Sequence, residues 1–172
     1  MHLYDTLVRP LGEDEQGAYA LIFGMRAMCR TPPPVEDPIC NCLAIRQAAR
    51  QVTQLYDRHL AAVDLRGNQY SILSKLGRLG PMSVNALAAS MAMDRTTLGR
   101  AIQPLQRDRL IAVAADERDK RARVIRLSPA GEARLKDAAH HWRNAQKEFE
   151  TAFGVEESAK LRATLARVVA AM

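Results

Sequence analysis

The chain has 172 residues, of which 48% are hydrophobic, enough for one domain with a proper core. Its formal net charge is +6, and because the first 38 residues hold six acids and three arginines, the remainder carries +9, a balance that favours a polyanionic partner. No stretch approaches the roughly 18 apolar residues of a membrane span, and three cysteines without framework spacing indicate a reducing cytoplasm.

The first 38 residues carry the weakest pattern in the chain. A short apolar run at 18–23 precedes Pro32-Pro33-Pro34, which is extended and cannot join a helix. The opening residues contain early acids and no basic region followed by an apolar core, so we expect no secretory signal. The segment is either an ordered arm or a mobile tail, and Met25 and Met28 are alternative starts.

Two amphipathic helices follow. Residues 39–60 are expected to form the first, because apolar side chains recur at steps of three and four residues. After a turn at 63–67, residues 68–79 form the second, which Gly80-Pro81 ends. The apolar stripe of the first helix is Cys42, Ile45, Ala49, Val52, Tyr56 and Leu60, and that of the second is Ile72, Leu73, Leu76 and Leu79.

The next residues predict a helix-turn-helix. Ser83 and Asp94 are each placed to cap a helix, since their side-chain oxygens accept hydrogen bonds from the free N–H groups of the first turn. The helix after Ser83 is short, with its apolar residues on one side. The helix after Asp94 has an apolar stripe on one side and side chains rich in hydrogen-bond donors on the opposite side. The apolar positions are Val84, Leu87, Ala88 and Met91 in the first helix, and Leu98, Ala101 or Ile102, and Leu105 in the second.

Two β-prone runs, at residues 110–114 and 123–127, come after the second helix. The sequence between them, DERDKRA at 116–122, is too polar to be buried. Two strands joined by a charged loop after a helix-turn-helix predict a winged helix-turn-helix.

Two long helices close the chain. Ser128 caps the first, Pro129 occupies its first position, where a missing N–H costs nothing, and Gly154 ends it after Phe153. Its expected buried side is Leu135, Ala138 or Ala139, Trp142, Ala145, Phe149 and Phe153. The last helix carries a coiled-coil-like stripe of Leu161, Leu165, Val168 and Met172. Because too few elements remain to cover the stripes at both ends, we expect an intertwined homodimer.

The loop and helices carry a motif pattern: D-x-R-D-x-R at 116–121, a strand, then Leu127-Ser128-Pro129-Ala130-Gly131, with Leu87-Ala88 and Asp94-Arg95-Thr96-Thr97-Leu98 before it. On these motifs the stretch from about 39 to 172 resembles the MarR family of transcriptional regulators, with Ser128 where the family usually has Thr. The resemblance implies a mainly α fold with a small β-wing. It implies a winged helix-turn-helix lobe at 67–127, dimerisation helices at 39–62 and 128–172, and an N-terminal arm at 1–38.

Double-stranded DNA with a pseudo-palindromic site is the partner that the resemblance and the chemistry of the second helix indicate. A helix entering the major groove presents its N-terminal residues to base edges. Arginine makes paired hydrogen bonds to guanine, glutamine pairs with adenine, and threonine reaches phosphates or thymine methyls. The candidates are Arg95, Thr96, Thr97, Arg100 and Gln103 on the helix, and Arg118, Lys120, Arg121 and Arg123 on the wing.

The resemblance also implies an inducer site between the dimerisation helices and the DNA-binding lobe. The side chains expected to frame it are Arg46, Tyr56, His59, Tyr70 and Trp142. Ordinary core positions for Tyr56 and Trp142, and an exposed charge at Arg46, are the alternatives. Because arginine beside aromatic rings suits a carboxylated aromatic ligand, the sequence favours a cytoplasmic repressor that a small organic molecule releases from DNA.

Cys40 and Cys42 raise an alternative, a thiol-based sensor. The spacing from Cys42 through Tyr56 to Tyr70 resembles the OhrR-type organic-hydroperoxide sensors, in which a cysteine near the start of this helix is oxidised. Those sensors surround the cysteine with two tyrosines, whereas one of the two positions here is Arg46. Buried inert thiols are the commonest case, so peroxide sensing through Cys42, with Cys40 beside it, ranks second.

Other classes of protein fit less well. Cys40 and Cys42 lack the C-x-x-C spacing of a metal site, and His140 and His141 are adjacent, so they lie on different helix faces. The chain contains no G-x-S-x-G, H-E-x-x-H or G-x-x-x-x-G-K motif. We therefore expect no metal, no cofactor and no catalysis.

Overall fold

The computed structural model describes residues 40–115 and 123–172, which form helices and a small antiparallel sheet. The expected N-terminal arm at 1–38 and the tip of the wing at 116–122 lie outside the described residues. The elements in chain order are α1 (Asn41–Leu60), a 3-10 turn (Ala61–Val63), α2 (Gly67–Leu79), β1 (Met82–Ser83), α3 (Val84–Ser90), α4 (Arg95–Arg107), β2 (Ile111–Ala115), β3 (Arg123–Leu127), α5 (Pro129–Phe153) and α6 (Val155–Ala171). This is the predicted mainly helical fold with a small β-wing.

The three predicted helix caps are all present. The Ser83 hydroxyl accepts a hydrogen bond from the Ala86 N–H (3.1 Å) and so starts α3. The Asp94 carboxylate accepts one from the Thr97 N–H (2.8 Å) at the start of α4, and Ser128 does the same for the first turn of α5. Each cap satisfies a backbone donor that the helix leaves unpaired, which is why the helices begin where the sequence predicts.

The sheet has the strand order β1-β3-β2, and both pairings are antiparallel. The two wing strands pair from Ile111 opposite Leu127 to Ala115 opposite Arg123, so β2 begins one residue later than predicted. The sequence does not predict β1, because two residues are too few to show an alternating pattern. The pairing of β1 with β3 ties the start of α3 to the wing, since Ser83 belongs to β1 and also caps that helix.

The core is formed by the helix-turn-helix, α2, the sheet and one side of α5. Leucine and isoleucine side chains of the predicted stripes fill it, and burying each one contributes about 1.5–3 kcal/mol relative to exposure. The fully buried large apolar side chains are Leu60, Ile72, Leu73, Leu87, Leu98, Leu105 and Ile125.

Both ends of the described chain leave apolar surface uncovered. In α1, Cys42 and Ile45 of the predicted stripe are exposed, and in α6, Leu165 is exposed as well. One predicted burial is wrong for the single chain, since Phe153 is 48% exposed, and Leu79 of the predicted apolar stripe of α2 is 58% exposed. Each lies in the last turn of its helix, and periodicity cannot distinguish such a turn from one that packs on a neighbour.

A close backbone contact joins the end of the helix-turn-helix to α5. A Cβ added at Gly131 would stand 1.9 Å from the carbonyl oxygen of Leu110, so glycine is the residue that fits there. Ser128 strengthens the same junction, because its N–H donates to the Leu110 carbonyl (3.1 Å) and its hydroxyl donates to the Arg109 carbonyl (2.6 Å). The Leu127–Gly131 motif is therefore the joint between the wing and the long helix.

Gly131→Ala should destabilise the protein. Relieving the overlap of the new methyl with the Leu110 carbonyl must move either the wing or α5, at a cost of at least about 2 kcal/mol. Urea unfolding followed by circular dichroism measures this. Gly99→Ala is the matched control, because nothing lies within 4 Å of a Cβ there and helix propensity favours alanine by about 1 kcal/mol. Equal unfolding midpoints for Gly131→Ala and the wild type would contradict the contact.

Candidate nucleic-acid interface and adjoining clefts

The second helix of the helix-turn-helix presents one polar face to solvent. Its inner side is buried through leucine and isoleucine side chains. At 3.6 residues per turn, Thr96, Arg100 and Gln103 fall on the opposite side within about 60° of one another, and all three are exposed. Arg95 and Thr97, which are also exposed, flank them on either side. We call Thr96, Arg100 and Gln103 the reading face, and the five predicted residues of α4 form one continuous exposed surface.

Arg107 extends the reading face by one turn, and the sequence analysis missed it. It is exposed, and its Nε donates a hydrogen bond to the Asp108 carboxylate at 3.0 Å. That bond raises the pKa of Arg107 above its ordinary value, at which the guanidinium is already charged. The signal that could have found it is its spacing, four residues after Gln103 and seven after Arg100, which places the three on one helix face.

Asp94 organises the first turn of α4. Its Oδ2 accepts a hydrogen bond from the Thr97 hydroxyl (2.5 Å), and its Oδ1 accepts one from the Thr97 N–H (2.8 Å). These bonds hold the pKa of Asp94 below its ordinary value, and the bond from the Thr97 hydroxyl has the largest effect. Because the hydroxyl proton of Thr97 is committed to Asp94, Thr97 presents a methyl group and oxygen lone pairs to solvent and no donor.

Of the four predicted wing contacts, Arg123 lies in the described residues. It is exposed at the first position of β3, opposite Ala115. Arg118, Lys120 and Arg121 lie outside the described residues.

A cleft of about 720 Å³ opens between α2, β3 and α5. Arg78, Arg126 and Lys136 bring three cationic groups to its walls, and Glu132 brings a carboxylate. Tyr70 also lines the cleft with its ring and with a hydroxyl that can donate a hydrogen bond, and burial raises the pKa of this hydroxyl above its ordinary value. Cationic groups beside leucine and tyrosine side chains suit a small anion with an apolar body.

A second cleft of about 350 Å³ lies between α1, α2 and α5, and it brings together Tyr56, Tyr70 and Trp142 of the predicted ligand residues. The rings of Tyr70 and Trp142 stack with centroids 5.9 Å apart. The Tyr56 hydroxyl donates to Gln146 Oε1 (2.6 Å), and its pKa is raised by burial and then by the charge of Glu150. Because Tyr70 lines both clefts, a ligand in either one would contact the same ring.

Arg46 and His59 line neither cleft. Arg46 is exposed on the N-terminal half of α1, almost three turns before Tyr56. His59 pairs with Glu148 of α5 (2.6 Å), whose other oxygen accepts a hydrogen bond from Arg58 (2.6 Å). Within one chain the structure therefore assembles three of the five predicted ligand residues and leaves these two outside.

The predicted thiols lie at the start of α1. That helix begins at Asn41, two residues later than predicted, so the exposed Cys42 is in its first turn and the exposed Cys40 precedes it.

Among residues 40–115 and 123–172, no three His, Cys, Asp or Glu side chains are grouped to hold a metal ion. Within those same ranges, no helix has the length and apolar character needed to cross a membrane.

The chain is similar in sequence and fold to known regulators. The model of the MarR family matches residues 63–122. The transcriptional regulator MosR of M. tuberculosis, solved in complex with DNA, is 34% identical with a TM-score of 0.70, and the alignment covers 77% of this chain and 96% of MosR. A probable transcriptional regulator from Pseudomonas aeruginosa is 30% identical with a TM-score of 0.67, over 75% of this chain and 96% of that one.

A further relative matches over a shorter stretch. The transcriptional activatory protein BadR of Rhodopseudomonas palustris is 32% identical over 88 residues. The alignment covers 49% of this chain and 50% of BadR, so the match spans half the length of that relative.

The cap at Asp94 should make the stability of the protein depend on pH below the ordinary pKa of an aspartate, about 3.9. Because the folded pKa is lower than the unfolded one, the contribution of the carboxylate is complete above that pH and is lost as the pH falls through the folded pKa. Asp94→Asn keeps a capping oxygen but does not titrate. We expect the difference in urea midpoint between wild type and Asp94→Asn to shrink between neutral pH and about pH 3. A difference that is independent of pH would contradict the cap.

Proposed function

This chain belongs to the MarR family of transcriptional regulators, and from that premise we propose that it is a homodimeric repressor that a small organic anion releases from DNA. The reading face of α4 carries the proposal, because it is exposed, rich in donors and fixed at its start by Asp94. MosR was solved with DNA bound. The name of BadR describes an activator, and activation is therefore the alternative direction of regulation.

In this proposal α4 enters the major groove with its N-terminal half foremost. Arg100 donates two hydrogen bonds to a guanine, Gln103 pairs with an adenine, and Thr96 reaches a phosphate. Thr97 contacts a thymine methyl, because its own hydroxyl proton is held by Asp94. The exposed Arg123 and the rest of the wing lie along the neighbouring backbone or minor groove.

The uncovered apolar stripes support a second copy of the chain as the partner. Ile45 near the start of α1, and Leu165 and Val168 near the end of α6, are each about two-fifths exposed. Apolar surface of this kind on helices at both ends of the chain is stabilised when a partner buries it. Two reading helices held in a dimer meet successive major grooves when they are about 34–36 Å apart, which matches a pseudo-palindromic site.

The larger cleft is the proposed inducer site. It joins α5 to α2 and β3, and its cations Arg78, Arg126 and Lys136 favour a carboxylate while Tyr70 offers a ring face and a hydroxyl donor. Filling the cleft changes how α5 packs on the DNA-binding lobe. Packed elements switch between discrete arrangements, so this change alters the separation of the two reading helices and releases DNA.

A second candidate mechanism is peroxide sensing through Cys42. The observation in its favour is that Cys42 is exposed in the first turn of α1. Its thiolate sulfur would attack an organic hydroperoxide, the O–O bond would break, and an alcohol would leave while the cysteine became a sulfenic acid. The added polar group would lie beside the stripe of α1 that the partner chain is proposed to cover.

Arg100→Ala should relax base preference at one symmetric position in each half-site. The loss of a bidentate contact costs about 1–3 kcal/mol for the preferred base pair and little for the others. Fluorescence anisotropy on a selected operator and its single-base variants measures this. Arg123→Ala should weaken binding to all sequences alike and reduce the slope of log affinity against log salt concentration by about one per subunit.

Lys147→Ala is the matched control for that series, because it removes one exposed positive charge from α5, outside the proposed interface. The affinity of this variant for DNA should equal that of the wild type at every salt concentration. Unchanged affinity and base preference for Arg100→Ala would show that the reading face is misassigned.

Benzoate should release DNA at concentrations at least about tenfold lower than benzamide, which has the same ring without the charge. Arg126→Gln should remove this advantage, because it deletes a cation of the larger cleft. Each variant is compared with its own affinity in the absence of ligand, and Lys147→Gln is the control. Equal potency of benzoate and benzamide on the wild type would contradict an anion site.

The same release assay with cumene hydroperoxide separates the two mechanisms. We expect wild type and Cys42→Ser to respond alike to the hydroperoxide. Release from the wild type alone would favour the thiol mechanism over the ligand cleft.

A further inference from the structure

Gly99 lies inside α4 at a position where the fold does not require glycine. Its φ is outside the left-handed region, and nothing lies within 4 Å of a Cβ built on its backbone. Glycine is a poor helix former, because folding restricts its backbone more than that of any other residue. An alanine here would therefore favour the helix without touching the rest of the described chain.

The other glycines within the described helices have close neighbours. A Cβ at Gly131 would meet the Leu110 carbonyl oxygen at 1.9 Å, and one at Gly77 would meet Leu135 Cδ2 at 2.8 Å. A Cβ at Gly67 would make ordinary contacts at 3.5 Å. Close packing therefore accounts for Gly131 and Gly77, Gly67 has room for a Cβ at ordinary contact distance, and Gly99 has open space around it within the described residues.

Gly99 borders the reading face. Residues three and four apart are neighbours on a helix surface, so Thr96 and Gln103 stand beside it, and Arg95 adjoins it on the other side. All three neighbours are exposed. The missing side chain therefore leaves a notch in α4 between the predicted base contacts and the flanking arginine.

We propose that Gly99 is the point of closest approach between the α4 backbone and DNA, and that this notch admits an edge of the duplex. Glycine is the residue used where a backbone must come close to a ligand, because any Cβ would hold the two apart. The close approach brings Gln103 within reach of a base edge and Thr96 within reach of a phosphate, because both side chains are shorter than that of arginine. This inference rests on the proposed DNA binding through the reading face.

Gly99→Ala and Gly99→Leu test the notch. Alanine and leucine have nearly equal helix propensities, so both should raise the melting temperature by about 2–4 °C. They differ in volume, so DNA affinity should fall about tenfold for alanine, the size of one lost base contact, and further for leucine. Stability and binding should therefore change in opposite directions, which a loss of folding cannot produce.

Gln106→Ala and Gln106→Leu are the matched controls, because Gln106 is exposed two turns after Gly99 on the same side of α4, in the last turn and beyond the proposed base contacts. Both should bind DNA like the wild type. Arg100→Ala is measured beside them to report on the reading face itself.

The outcomes separate the notch from the function on which it rests. If Arg100→Ala weakens binding while both Gly99 variants bind like the wild type, the notch is overturned and the reading face stands. If Arg100→Ala and the Gly99 variants all bind like the wild type, the reading face is overturned as well. A lower melting temperature for Gly99→Ala would overturn the premise that the fold does not need this glycine.

Discussion

The backbone contact between Gly131 and the Leu110 carbonyl is the constraint on which the rest of the structure depends. Leu110 lies between α4 and β2, and Gly131 lies in the first turn of α5. Ser128 adds two hydrogen bonds at the same place, so the wing, the end of α4 and the start of α5 are held as one joint. Because no side chain separates the two backbones, a shift of α5 toward Leu110 must displace the segment that joins α4 to β2.

The two clefts lie on elements that this joint connects. The larger one is lined by α2, β3 and α5, and the smaller one by α1, α2 and α5, with Tyr70 lining both. A ligand that changes the packing of α5 in either cleft therefore acts on the helix that carries the joint. This arrangement accounts for the proposal that a small molecule, bound away from α4, alters its position on DNA.

Helix α4 carries side-chain hydrogen bonds at both ends and a residue without a side chain between them. Asp94 holds its first turn through two hydrogen bonds to Thr97, and the Arg107–Asp108 pair lies at its end. Gly99 lies between these points with open space around it. A helix that is ordered before it binds pays less conformational entropy on binding, and the proposed contacts on its exposed face benefit from this.

The sequence by itself determined the helices, their caps and the reading face. Ser83, Asp94 and Ser128 act within one helical turn, and Thr96, Arg100 and Gln103 share one helix, so local spacing places them.

Only the tertiary structure decided where the cleft lies and what lines it. Arg78, Arg126 and Lys136 come from three different elements, and each alone has the pattern of a solvated surface charge. Arg46 has the same kind of pattern, and the sequence placed it in a cleft that it does not line within one chain. The need for glycine at position 131 follows only from its contact with the Leu110 carbonyl. Contacts between elements distant in sequence depend on packing angles that no periodicity records.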